Sequence, residues 1–98
     1  MDYESVLLKL SAQSVNKVLE VKWVPNQRTF VQLLDQPQPM LKKYTLINSS
    51  WVMQTQAWLK DLRDVTCFSI DEQAKYAIVG TQSGLVQAFH LHDFSPAT

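Results

Sequence analysis

Glycine is scarce in this chain: its 98 residues include two, Gly80 and Gly84. Two glycines cannot build a phosphate-cradling loop of the G-x-G-x-x-G or P-loop kind, which excludes nucleotide chemistry of that type. Cysteine is scarcer still. Cys67 stands alone, so no disulfide can form within the chain. That usage suits a cytoplasmic or nuclear setting. Neither sign of charge is in surplus, because nine Lys and Arg balance nine Asp and Glu. No net field draws in nucleic acid or an anionic membrane, and no run of like charges marks an interaction tail. Long apolar runs are missing too, all falling far short of the roughly 20 residues that span a bilayer. The start, Met1-Asp2-Tyr3-Glu4, lacks the basic flank of a signal peptide. Nucleic acid and membrane are therefore not expected partners.

What is present is the material of a small globular fold. Hydrophobic residues make up 46% of the chain and charged residues 18%, which argues against disorder and allows a modest core. Most of the apolar residues fall in strand-length runs. Val65–Ile70, Tyr76–Gly80 and Leu85–Leu91 are separated by the polar stretches 71–75 and 81–84. Gly84 supplies the positive φ that a tight turn needs. Three such runs with short turns predict an antiparallel meander. The preceding region has the same rhythm. Val18–Val24, Thr29–Leu34, Met40–Leu46 and Trp51–Trp58 read as four strands, and Pro37 and Pro39 confine residues 35–39 to a loop. Ser5–Leu10 reads as one more strand. The alternative is the opening of an amphipathic helix, since Leu8, Ala12, Val15 and Leu19 also fall at helical spacing.

The two regions repeat one another. Val18 corresponds to Val65, Val21 to Phe68 and Trp23 to Ile70 at an offset of 47, and Leu46 to Leu91 at 45. Blades of a β-propeller recur at about 40–45 residues with four strands each. The segment 65–91 also resembles a WD repeat. Lys75-Tyr76 follows the first turn, Gly80-Thr81 stands at the small-residue step, Ser83-Gly84 at the Asp-Gly turn and Phe89-His90 at the Trp-Asp position. Trp23-Val24-Pro25-Asn26 and Tyr44-Thr45 carry a weaker match in the first region. The Trp-Asp dipeptide itself is missing from both regions, and so is the Gly-His pair that usually precedes the first strand. The buried hydrogen-bond network of typical members cannot be assembled, so these blades would rely on apolar packing.

The resemblance implies an all-β fold of two antiparallel four-stranded propeller blades, a partial propeller, with an outer strand near 5–10, a first blade near 18–60 and a second near 64–92. The segment 92–98 is too short and turn-like to supply the second blade's outer strand. Two blades alone would leave sheet faces bare. A ring of copies, a partner that supplies blades, or membership of a longer propeller chain would each cover them, and the sequence favours the last. The function implied is a protein-interaction scaffold without cofactor or metal, and not an enzyme. The alternatives are a small metal-dependent or hydrolytic enzyme built on His90 and His92, and a truncated product without activity of its own.

Residue by residue, the expectations are these. His90 and His92 share a strand face with Asp93 nearby, but three such groups fall short of a recognisable metal site. Cys67 is expected to be buried as a small hydrophobe. Val21, Trp23, Phe68, Ile70, Ile78, Val86 and Phe89 are expected to be buried. Phe68, Ile70, Val79 and Leu85 are expected to lie on faces that a lone pair of blades leaves bare. Trp51 and Trp58 are the candidate interaction residues. An odd separation places them on opposite sides of a regular strand, one packed between blades and one exposed.

Overall fold

A computed structural model describes residues 17–36 and 38–97. The expected segment 5–10, strand or helix, lies outside them. The described residues form seven strands and no helix: β1 (Lys17–Trp23), β2 (Thr29–Gln36), β3 (Met40–Ile47), β4 (Ser50–Trp58), β5 (Val65–Ile70), β6 (Tyr76–Thr81) and β7 (Val86–His90). They make two antiparallel meanders in series, β1-β2-β3-β4 (sheet A) and β5-β6-β7 (sheet B). Each connection is a short turn, as adjacent antiparallel strands allow.

The sequence repeat reappears as a repeat of hydrogen-bond register. Val21 pairs with Gln32 and Trp23 with Phe30 in sheet A; Phe68 pairs with Val79 and Ile70 with Ala77 in sheet B, each 47 residues later. The irregularities repeat as well. The ladder skips Leu19 in β1 and Thr66 in β5, the same place in each sheet. The turns follow suit: Gln27 N donates to Val24 O, as Ala74 N does to Asp71 O, and Leu46 N donates to Arg28 O, as Leu91 N does to Lys75 O. The offset falls to 45 because five residues separate the paired Leu34 and Met40, whereas three separate Thr81 from Leu85, with Gly84 at φ 94° among them.

The sheets stack face to face. Registered neighbours share a face, so Val31, Leu33, Leu41 and Ala57 line the inner face of sheet A. Phe68, Ile70, Ala77, Val79 and Phe89 line that of sheet B, and the two sets form one apolar core. Leu59, Leu62, Leu91 and Phe94 close it from the connecting segments. The sheets approach most closely at their first strands, β1 and β5. There the Phe68 amide donates to Glu20 Oε1 at 2.9 Å. Farther out, Lys43 Nζ donates to the carbonyls of Leu91 at 2.9 Å and His92 at 3.3 Å. That half-buried setting lowers the Lys43 pKa by desolvation, partly opposed by the Asp93 charge.

Several expectations require correction. Phe68 and Val79 are not on a bare face; both are buried against sheet A. Trp23 and Val86 are exposed, at 38% and 69%, because they sit on the outer faces of their sheets. Val21, Ile70 and Ile78 are half-buried. Sheet B has three strands rather than four, yet the residues after it are not merely a turn. Pro96 forms an antiparallel bridge with Phe89, His90 N donates to Ser95 O, and Ala97 N donates to Ala88 O. These bonds extend the ladder past β7 toward a fourth position.

Candidate interaction surface

Among the described residues, the outer faces of the two sheets lie away from the shared core. The outer face of sheet A is aromatic. Phe30 is buried beneath a cluster of rings: Trp23 meets it edge-on at 5.6 Å, Tyr44 stacks on it at 5.1 Å, and Trp51 packs at 4.9 Å. Met53 and Trp58 continue this face, with Trp58 exposed at 56%. Both candidate tryptophans therefore lie on the same side, against expectation. The ladder between β3 and β4 pairs Lys43 with Thr55 and Tyr44 with Met53, so Gln54 is an extra residue. One inserted residue reverses the strand's alternation. Trp51 opposite Leu46 and Trp58 opposite Met40 then share a face, because Leu46 and Met40 do. A bulge leaves no composition signal in Met53-Gln54-Thr55, which is why alternation alone missed it.

The outer face of sheet B is smaller and aliphatic, with Cys67, Ile78, Gly80, Val86 and Ala88. Cys67 is exposed here rather than buried. The bulge at Thr66 sets it opposite Gly80, where a Cβ would lie 3.2 Å from its sulfur, and on the side away from the core.

His90 and His92 do come together, with ring centroids 5.9 Å apart. His90 also leans on Tyr76, and His92 pairs with Asp93 at 3.3 Å. The Asp93 carboxylate is already engaged, accepting from the Ser95 amide and hydroxyl, bonds that hold its pKa below the ordinary carboxylate range. Among the described residues no group of three or more His, Cys, Asp or Glu gathers in a way that could hold a metal. A cleft of 140 Å³ lies under Trp58, between Leu59, Leu62, Phe89 and Pro96. It is well below the roughly 300–1,000 Å³ typical of small-molecule sites. No described helix is long and apolar enough to cross a membrane.

Compared with known proteins, the chain has no match: no family model, no curated protein and no solved structure corresponds to it.

Proposed function

We propose that this chain is a two-blade portion of a WD-repeat-like β-propeller and works as a protein-interaction scaffold. The observation that carries the reading is the repeated register together with the way its faces are used. Residues that correspond across the repeat face the same way along the stack. Trp23, Phe30 and Tyr44 look outward from sheet A, and their counterparts Ile70, Ala77 and Phe89 in sheet B look into sheet A. The aliphatic set Val31, Leu33 and Leu41 meets sheet B, and its counterparts Ile78, Gly80 and Val86 look outward. Sheet A thus shows the kind of face that sheet B buries, and sheet B shows the kind that sheet A buries. A unit built this way adds further units head to tail, as propeller and solenoid repeats do. Convergence at β1 and β5 sets the inner strands together, as around a propeller axis. The occupant of the open faces is then another blade, from copies of this chain or from a longer chain that includes it. Protein partners bind the rim and loops of such a frame.

Cys67 is the natural reporter, being the one cysteine and exposed on the outer face of sheet B. Reaction of Cys67 with a thiol reagent should be slow in the assembled state, in a ring of copies or in the parent chain. It should accelerate on dilution or in a Val86→Lys variant. A cooperatively folded monomer with Cys67 fully reactive at every concentration would defeat the blade reading and favour a self-contained β domain.

A further inference from the structure

We propose that Ser95 is an acceptor site for a proline-directed serine kinase, and that its phosphate releases residues 95–97 from β7. Such enzymes read the proline that follows the acceptor hydroxyl, a residue set apart by its fixed φ and missing amide hydrogen. The chain has four prolines, and Pro96 is the one that follows a hydroxyl residue; Pro25, Pro37 and Pro39 follow Val24, Gln36 and Gln38. Neither step depends on the chain being part of a propeller.

The place of this dipeptide in the fold makes it reachable. Residues 95–97 lie outside the seven strands and meet β7 through two backbone bonds, from His90 N to Ser95 O and from Ala97 N to Ala88 O. Pro96 stands opposite Phe89 between those bonds, where the ladder asks for no amide. Ser95 is half-buried, Pro96 is exposed, and the bond made by the Ser95 hydroxyl lies at the surface. A segment held by so few exposed bonds opens at low cost. Its anchor is Phe94, 2% exposed in the core. A kinase cleft takes its substrate extended, so residues 94–97 lift together for the transfer. Ser95 Oγ then bonds to the γ-phosphorus of ATP as the bond from that phosphorus to the bridging oxygen breaks. ADP leaves, and the hydroxyl proton passes to the kinase's catalytic aspartate.

The geometry around Ser95 gives the phosphate its effect. Ser95 Oγ donates to Asp93 Oδ1 at 2.7 Å, and Ser95 N donates to the same oxygen at 2.9 Å. These two bonds form the clasp that turns the chain back onto β7. A phosphorylated Oγ has no hydrogen to donate and brings a charge of about −1.5 to −2 against the carboxylate. Lys43, whose charge reaches Asp93, already donates to the carbonyls of Leu91 and His92. One bond of the clasp is lost, and repulsion takes its place.

The test treats the whole chain with a proline-directed serine kinase and magnesium ATP at about pH 8, above the ordinary imidazole range. A free peptide of residues 90–97 runs beside it. Mass spectrometry should place one phosphate on Ser95 and none on the Ser95→Ala variant. The free peptide should react faster than the folded chain. Ala97→Pro, which removes the bond to Ala88, should narrow that gap, measured against a peptide carrying the same change. In the phosphorylated chain the His90 and Ala97 amides should lose exchange protection while those of β1 to β3 keep theirs. A chain or peptide left unmodified at Ser95 would overturn the proposal. So would a phosphorylated chain whose His90 and Ala97 amides keep or gain protection, as a phosphate clasped by His90 and His92 would give.

Discussion

Phe89 in β7 and Trp23 in β1 are both aromatic strand residues, yet the fold uses them differently. Phe89 lies on the inner face of sheet B and is 4% exposed, whereas Trp23 lies on the outer face of sheet A among other rings. Truncating a buried aromatic costs about 3–5 kcal/mol, part of it the cavity left behind. Phe89→Ala should therefore shift the urea midpoint by that order. Trp23→Ala should cost distinctly less, since much of its ring already meets water and its neighbours can close over Phe30. Equal losses would mean that the outer face of sheet A is covered in the isolated chain. Both residues are expected to be buried from their inward or inter-blade positions in the repeat. Hydrophobicity identifies a residue that gains from burial, but a β-strand offers two faces, and nothing local says which one the chain will cover.

The turns are the elements in which local sequence speaks most directly. Between β5 and β6, the Asp71 carboxylate accepts the amides of Lys75 and Tyr76 at 2.7 Å each. These backbone bonds, Tyr76 foremost, hold its pKa below the ordinary carboxylate range. An aspartate at the head of a polar stretch is a familiar turn former for this reason. The folded-state pKa lies below the unfolded one, so the stabilisation is present above the unfolded carboxylate range. It is lost as pH falls through the lower, folded pKa. Asp71→Ala should therefore be less stable than the wild type at neutral pH, and the difference should shrink on acidification, as urea midpoints against pH would show. A difference that grew toward low pH would reverse the assignment. The equivalent turn of sheet A, Val24–Arg28, keeps the same backbone bond without an aspartate, and its left-handed residue, Asn26 at φ 61°, stands one place earlier than Ala74 at φ 57° in the turn of sheet B. One backbone hydrogen bond is thus kept by two turns that differ in side chains and in the place of the left-handed residue, which hides the repeat from simple residue matching.

For the whole molecule, stability rests on the contact between the sheets. The shared apolar core is supplemented by polar ties from β1 and β3, through Glu20 and Lys43. Glu20→Ala leaves the Phe68 amide without its acceptor, and an unsatisfied buried donor costs about 1–3 kcal/mol. The site is only part-buried, so water offsets some of that loss. Because the sheets share one core, amide protection should fall in both sheets together, measured by native-state hydrogen exchange. Loss confined to β5–β7 would mean that the two meanders unfold independently.

The sequence by itself determined the all-β character, the strands from β1 to β7 to within a residue or two, and the repeat at 47. These follow from strand-length apolar runs, β-branched and aromatic content, and turn residues, all of them local. The tertiary structure alone decided which faces are covered, that Cys67 and Val86 look outward, and that Trp51 and Trp58 share a side. It also decided that residues 95–97 extend sheet B. Each of these depends on a bulge or on the stacking of two sheets. A single extra residue, such as Gln54 or Thr66, reverses every side chain beyond it, and whether a ladder absorbs that residue is settled by the partner strand rather than by the strand's own composition.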